Sequence, residues 1–270
     1  MSLIIKITFF LFLTNITFAN SPNIDLLTKD QADSISKEFS ANFVHTIVAP
    51  ASSLGDLFGF EVGLIGGITK TPATDRISKS FDPSASVDMV PHAGLFGSVS
   101  LPFGFTTELS LIPEAGSTIK IEHKSYALKW TFSQLLDLPI DVAIRVHGSN
   151  SKLSYTDTIN NSSTSNNDVD AVVSYDMSSL GAHLTVSKSF LFIEPYAGIG
   201  TISTDTDILT SASSTVSIFT FTGAESYSSS DTGTHFFVGA NVNLFLFKIG
   251  LEHSRIIDIN RTTAKLSFYF

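Results

Sequence analysis

Five acidic and histidine side chains near the ends of predicted strands are the residues best suited to perform chemistry. They are Asp205, Asp207, Asp231, His235 and His253. A carboxylate beside an imidazole can activate a water molecule for hydrolysis. The sequence contains no HExxH, P-loop or dinucleotide-binding fingerprint, and such side chains are common in solvated loops. We therefore predict no enzymatic activity and no catalytic, cofactor or metal site, and we keep hydrolysis as the third alternative for function.

A second set of charged and histidine side chains alternates with apolar residues along the chain. Successive side chains of a β-strand point to opposite faces, so each member of the set lies opposite an apolar face. Both signs of charge occur, which predicts a network of ion pairs and hydrogen bonds filling a narrow enclosed space. The predicted inward-facing residues are Glu61, Glu108, Lys129, Asp141, Arg145, His147, His183, Glu194, Lys248, Glu252 and Lys265.

The strands that must position these residues recur from Leu57 to the end of the chain. The last run places four apolar residues on one face, with Lys265, Ser267 and Tyr269 on the other. Several runs have close to the roughly nine to eleven residues that a tilted strand needs to cross a bilayer. The four apolar residues of the last run are Ala264, Leu266, Phe268 and Phe270.

This last run resembles the C-terminal strand of Gram-negative outer-membrane β-barrel proteins. In that class the final strand ends in Phe and is read by the machinery that assembles the barrel. The resemblance implies that the same four residues form an assembly signal, and it implies outer-membrane lipid and the barrel assembly machinery as partners. The alternative is a soluble antiparallel sheet whose last strand ends in Phe270.

Residues 1–19 have the features of a secretory signal peptide. Lys6 supplies the positive charge, Ile7 to Leu13 forms a short apolar core, and Thr17 to Ala19 precedes the cleavage site. The mature chain would begin near Asn20. A transmembrane helix is the alternative, although Thr14 and Asn15 interrupt the apolar run. No Cys follows the core, which excludes a lipoprotein, and the predicted location is the bacterial outer membrane.

Composition narrows the class of protein further. A chain of 270 residues is long enough for one large all-β domain. The absence of Cys excludes a disulfide framework and any thiolate metal site. A net charge of −9 argues against nucleic acid as a partner. The oligomeric state is left open.

Residues 20–55 contain the clearest helical pattern. Thr28 and Gln31 have the spacing of a capping box, apolar residues then recur at helical spacing, and Pro50 is expected to end the helix. Two interpretations remain open, a helix that plugs the periplasmic mouth of the barrel and a loosely packed periplasmic segment. The apolar residues are Ala32, Ile35, Phe39, Phe43 and Ile47.

Connections between the predicted strands of residues 56–270 alternate between polar loops and brief turns. This is typical of a transmembrane antiparallel up-and-down β-barrel, with short periplasmic turns and longer outer loops. We predict about ten strands, with eight or twelve as alternatives, and a salt bridge between Lys265 and Glu61 where the last strand meets the first. The long loops are expected at Thr71 to Val90, Asn160 to Asp170 and Thr204 to Gly233. Within the last of these, Val216 to Thr222 has β character and is interpreted as a hairpin that extends above the membrane.

These patterns determine the fold more closely than the function. The first interpretation is a narrow pore or a structural barrel with a polar lumen filled by side chains. The second is a surface adhesin or receptor that binds through the outer loops. A wide porin is not expected, because open aqueous channels require about sixteen strands or more.

Overall fold

A computed structural model describes most of the chain from Thr28 onward. The predicted signal peptide 1–19, residues 20–27 and the loop positions near Asp82, Gly116 and Asn161 lie outside the described residues. The described ranges are 28–55, 58–81, 83–84, 86–115, 119–136, 138–160, 168–216 and 219–270.

Two α-helices, ten β-strands and two short 3₁₀ helices, Pro102–Gly104 and Ser133–Leu136, make up the described regular structure. Among the described residues, no helix is both long and apolar enough to cross a membrane. The helices are α1 (Lys29–Asn42) and α2 (Pro72–Phe81). The strands are β1 (Phe60–Lys70), β2 (Met89–Leu101), β3 (Phe105–Ala115), β4 (Ile119–Thr131), β5 (Asp141–Asn160), β6 (Asp168–Ser187), β7 (Ile193–Val216), β8 (Phe219–Leu244), β9 (Phe247–Ile256) and β10 (Ile259–Tyr269).

The ten strands form a closed antiparallel barrel in which each strand pairs with its neighbours in sequence. Closure comes from β1 and β10, which pair from Glu61 opposite Tyr269 to Thr69 opposite Arg261. The predicted ten-stranded up-and-down barrel is therefore confirmed, and the alternatives of eight and twelve strands were wrong. A closed wall leaves no unpaired sheet edge, which is the condition for strands to span lipid.

The outer face of the wall is apolar where the ten strands run side by side. Leu64, Leu128 and Leu266 expose 54%, 48% and 50% of their surface. Aromatic side chains crowd the rim with the short turns, including Phe103 and Phe245 at 76% and 90% exposure. An apolar band with an aromatic girdle is the outer surface of a transmembrane barrel and not that of a soluble sheet.

Strand length divides the wall into a short and a tall side. β9 and β10 have 10 and 11 residues, whereas β7 and β8 have 24 and 26. The surplus of about 15 residues corresponds to roughly 50 Å along a strand at 3.3 Å per residue. β5 and β6, of 20 residues each, complete this projecting wall of four strands.

The irregular structure predicted for Thr204 to Gly233 was wrong, because β7 and β8 run through this region. The hairpin expected around Val216 to Thr222 is present, since the two strands pair up to Val216 opposite Phe219. Apolar residues do not alternate there, because this part of β7 and β8 extends beyond the short strands and therefore beyond the apolar band of the wall. Cross-strand polar pairs stabilise it instead, as when Ser230 donates to Asp205 at 2.6 Å and Ser228 donates to Asp207 at 2.6 Å.

The predicted loop from Thr71 to Val90 contains helix α2. Pro72 occupies its first position, where the missing N–H costs nothing. Asp75 and Lys79 form an i,i+4 ion pair of 2.7 Å.

The N-terminal segment runs through the inside of the barrel. The predicted capping box of Thr28 and Gln31 is present, but α1 ends at Asn42 and not near Pro50. Residues 43–55, which we term the strap, continue through the lumen to the start of β1 at the short-turn rim. The helix therefore lies toward the opposite, outer mouth, and its predicted position at the periplasmic mouth was wrong.

Deleting Phe270 is expected to lower the yield of folded barrel. Its backbone exchanges two hydrogen bonds with Phe60, of 2.7 and 3.0 Å, and the two rings stack at 5.8 Å. Deletion therefore weakens the closing pair of strands as well as the predicted assembly signal. The measurement is the heat-modifiable fraction in outer-membrane preparations. Leu191→Ala, at a fully exposed turn position, is the control, and an unchanged yield on deleting Phe270 would contradict the assignment.

Candidate functional site

The lumen is lined by the predicted inward-facing residues and occupied by the strap. The structure places all eleven residues on the inner face of the wall. Nine of them are buried, while Asp141 and Lys248 are half-buried near the short-turn rim. The nine buried residues are Glu61, Glu108, Lys129, Arg145, His147, His183, Glu194, Glu252 and Lys265.

Glu108 is the centre of a buried cluster of charged and polar side chains. Its Oε1 lies 3.1 Å from Arg145 Nη2, and its Oε2 lies 3.0 Å from His45 Nε2. The other ring nitrogen of His45 lies 2.9 Å from Ser125 Oγ. His45 belongs to the strap, so this cluster joins β3, β4 and β5 to the segment inside the lumen.

Lys129 and Thr131 of β4 bind backbone carbonyls of the strap. Lys129 Nζ donates to the Pro50 and Ser52 oxygens at 3.1 and 2.6 Å. Thr131 Oγ1 donates to the Ala51 oxygen at 2.6 Å. An extended strap has no ladder of its own, so these wall side chains satisfy carbonyls that would otherwise be buried without a partner.

Glu194 of β7 provides a second attachment at the same level. Its carboxylate accepts from Ser187 at 2.7 Å and from Ser52 at 3.0 Å. Ser187 Oγ in turn accepts from the backbone N–H of Ala51 at 3.1 Å. The strap is thus bound at this level by three strands of the wall, β4, β6 and β7.

Arg261 of β10 determines where α1 ends. Its Nη1 donates to the carbonyls of Ala41 and Val44 at 3.2 and 2.8 Å. The last carbonyls of a helix have no partner within it, and here a wall guanidinium supplies one. Asn42 accepts from Thr69 at 2.6 Å, so side chains of the wall fix the residues at the helix end.

The strap makes a strained turn at Val48. Its φ of 53° lies in the left-handed region, which β-branched residues rarely adopt. Val48 is fully buried and packs with Tyr196 and Phe237 of the wall. Such strain persists only where the surroundings enforce one conformation, so the path of the strap is tightly specified here.

Glu61 carries the predicted salt bridge at the junction of the first and last strands. Lys265 Nζ lies 2.8 Å from Glu61 Oε1, and Lys248 Nζ lies 3.7 Å from Oε2. Ser267 donates to the same carboxylate at 2.6 Å. Both charges face the lumen, so the bridge crosses the junction on the inside of the wall.

At the outer mouth α1 is attached to elements beyond the membrane. Glu38 accepts from the N–H groups of Ala73 and Thr74 at 2.7 and 2.9 Å and so caps the first turn of α2. Asp33 accepts hydrogen bonds from Ser229, at 2.6 Å, and from Tyr227. The hydrogen bond from Ser229, and after it the bond from Tyr227, hold the pKa of the Asp33 carboxyl below its ordinary value. The two bonds therefore stabilise the folded protein at neutral pH, and this stabilisation is lost as the carboxyl is protonated in acid.

The predicted hydrolytic residues do not come together. Asp205 and Asp207 are exposed and bind serines of the neighbouring strand. His253 is exposed on the outer face, 2.9 Å from Thr262 Oγ1. His235 is buried in the lumen, and Asp231 is half-buried on the projecting wall.

Sequence reasoning missed several residues of the lumen. Alternation in β10 places Arg261 on the same face as Lys265, so this signal was available. No sequence pattern indicated that His45 lies in the lumen, because its position depends on the path of the strap.

Among the described residues, one group has donor atoms close enough to hold a metal ion. Its members come from three strands and are His147, His183 and His235.

Little space remains between the strap and the wall. Strap residues from Phe43 to Ala51 are all buried. A cavity of about 20 Å³ lies between the end of α1 and the wall near His92 and His123, which is room for roughly one water molecule. The wall therefore encloses the strap closely from Phe43 to Ala51.

Comparison with known proteins adds one family match. The model of a family of unknown function, DUF6588, matches residues 73–270. No protein with a curated description matches the chain in sequence.

Similar solved structures are β-barrels of low sequence identity. The attachment invasion locus protein Ail of Yersinia pestis is 11% identical with a TM-score of 0.30, covering 79% of this chain and 97% of Ail. The outer membrane protease OmpT from Escherichia coli is 10% identical with a TM-score of 0.39, covering 80% and 97%. The translocator domain of the autotransporter NalP from Neisseria meningitidis is 9% identical with a TM-score of 0.41, covering 79% and 87%. At these identities the roles of the three proteins do not transfer to this chain.

Glu108→Gln is expected to lower the free energy of unfolding by about 3–5 kcal/mol, because it leaves Arg145 buried without its opposite charge. The matched control is Glu122→Gln, which breaks an exposed pair with Lys124 and should change the free energy of unfolding far less, because solvent screens such pairs. Urea unfolding of the refolded protein, followed by the fluorescence of its single Trp130, measures both. Equal losses in the two variants would show that the buried cluster contributes nothing particular.

Proposed function

The chain belongs to this family of unknown function, and we propose from its geometry that it is an outer-membrane barrel sealed by its own N-terminal segment. In this proposal α1 and the strap are a resident plug, and the folded chain does not conduct solutes passively. The sequence left open a narrow pore or a structural barrel, and a resident plug favours the structural barrel.

The observation that carries this proposal is the attachment of the strap at successive levels of the lumen. Arg261 binds the end of α1, the Glu108 cluster binds His45, and Lys129 and Glu194 bind the segment from Pro50 to Ser52. A segment that moved aside readily would leave these charges buried without partners, at a cost of several kcal/mol each. The contacts therefore support a plug that stays in place.

Conductance across a planar bilayer tests whether the plug seals the barrel. The intact refolded protein is expected to give no stepwise current, because the strap fills the lumen. A variant lacking residues 28–51 is expected to give discrete current steps, since it removes the plug and leaves all ten strands. Heat-modifiable mobility of both proteins verifies that the barrels are folded.

A second measurement covers the case in which the deletion variant does not fold. Urea below the concentration that unfolds the barrel should release the plug first and produce current from the intact chain, with silence restored on dilution. Glu122→Gln serves as the control variant, because it leaves the lumen unchanged. Stepwise current from the intact protein without urea would contradict the sealed barrel and favour the narrow pore.

The projecting wall favours a second candidate function, that of a surface adhesin or receptor. β5 to β8 extend well past the short strands, and their outer face carries hydroxyl and carboxylate groups held in cross-strand pairs. Asp205 and Asp207 are both exposed there. A rigid polar sheet of this kind suits a partner that binds through hydrogen bonds, such as a carbohydrate or a polar protein surface.

Charge reversal on the wall tests the binding candidate. Liposomes that carry the refolded protein are applied to arrays of glycans and of purified extracellular proteins. The double variant D205K/D207K is expected to weaken any specific binding at least tenfold, because it reverses the charge of the exposed face. Asp258→Lys, in the turn between β9 and β10, is the control. This candidate would be removed if the protein bound neither array. It would also be removed if D205K/D207K bound as well as the control Asp258→Lys.

A further inference from the structure

Three buried histidines meet on the inner face of the barrel wall. His147 lies on β5, His183 on β6 and His235 on β8, and each exposes 5% or less of its surface. Their ring centroids are 5.3, 5.7 and 6.4 Å apart. One nitrogen of each ring lies within 4.8 Å of one nitrogen of both others. Imidazole donors from three separate strands therefore converge on one point.

Most of the nitrogens in this cluster lack a hydrogen-bond partner. Within the described residues, both ring nitrogens of His147 and of His235 are buried without one, and so is Nδ1 of His183. The sixth nitrogen, His183 Nε2, lies 3.3 Å from Arg145 Nη1. Buried polar groups are normally paired, and a group of exceptions points to an ion or a ligand.

Glycines on the adjacent strands make room for the rings. His147 pairs across the sheet with Gly181, and Gly200 pairs with both His183 and His235. A Cβ at Gly181 would lie 2.6 Å from Cε1 of His147, and one at Gly200 would lie 2.4 Å from Cβ of His183. Larger residues at these positions would displace the rings, so the wall accommodates the cluster specifically.

We propose that His147, His183 and His235 bind one divalent transition-metal ion, with zinc as the representative ion. Imidazole is a good ligand for zinc, copper and nickel, and three protein ligands with one open position are a common zinc arrangement. Tetrahedral zinc with bonds of about 2.0–2.1 Å requires nitrogens about 3.3 Å apart. The ring nitrogens, which lie within 4.8 Å of one another, must therefore approach by up to about 1.5 Å when the ion binds.

The charges around the cluster are compatible with a cation. Arg145 and Arg261 are the positive groups that act on the cluster. The Glu108 carboxylate lies 3.1 Å from Arg145, and Glu252 is the carboxylate that acts on Arg261. The ring of His45 stacks on that of His147 at 5.9 Å. The proposed ion would thus lie beside the strap and link three strands of the wall at the level where the plug is bound.

Zinc binding to the refolded full-length protein, without a histidine tag, tests this site. We expect one zinc ion per chain, with a dissociation constant of micromolar or below measured by competition with a chromophoric chelator. His235→Gln should weaken binding at least tenfold, and the triple variant H147Q/H183Q/H235Q should abolish it. The matched control is His253→Gln, because His253 is exposed on the outer face. This variant should bind zinc with the same affinity as the wild type.

Zinc is added both to the folded protein and during refolding, because the lumen is closed. Binding in either case supports the site, and the visible absorption of Co²⁺ reports whether imidazoles coordinate the ion in a tetrahedral geometry. If the triple variant does not refold, His235→Gln and the Co²⁺ spectrum decide. No binding under both conditions, or equal binding by the wild type and His235→Gln, would overturn the proposal.

Discussion

Charges that face the inside of a narrow barrel must find partners there, and the rest of this structure depends on how that requirement is met. Lys129, Arg145 and Arg261 of the wall each donate to a backbone carbonyl of the N-terminal segment. The wall thus supplies cations, and the strap supplies the oxygens that an extended chain leaves without ladder partners. Without the strap, these wall cations would lose hydrogen-bond acceptors, and without the wall, the strap carbonyls would lose their donors. The plug and the barrel therefore share one interior.

The strand pattern of the sequence was sufficient to predict the number of strands and which side chains face the lumen. Alternation with a period of two assigns a face to every side chain, and that rule placed Glu108 and Arg145 on one face although 37 residues separate them. The same rule paired Glu61 with Lys265, because closure brings the last strand beside the first. These features depend on local geometry and on the number of strands, and both are visible in the chain.

The path of the plug depends on tertiary contacts that no local pattern reveals, and of the projecting wall only the hairpin around Val216 to Thr222 was visible in the sequence. The apolar stripe continues through Phe43 and Ile47 with helical spacing, yet Arg261 binds the carbonyls that end the helix at Asn42. Helix α2 takes its cap from Glu38 of another element. Beyond the short strands, β7 and β8 lack apolar alternation, so their strand structure rests on cross-strand pairs such as Asp205 with Ser230.

The passage of the strap from one mouth to the other constrains the order in which the molecule is built. A wall closed by β1 and β10 has no lateral opening, and a helix such as α1 is about 10–12 Å wide with its side chains. The strap must therefore enter while the wall is still open, or be drawn through a finished ring as unfolded chain. Entry into the open wall needs no threading step, and the polar side chains of the inner face can bind the strap as the barrel closes. In that order of assembly, the pairing of β10 with β1 closes the barrel and buries the N-terminal segment in the same step.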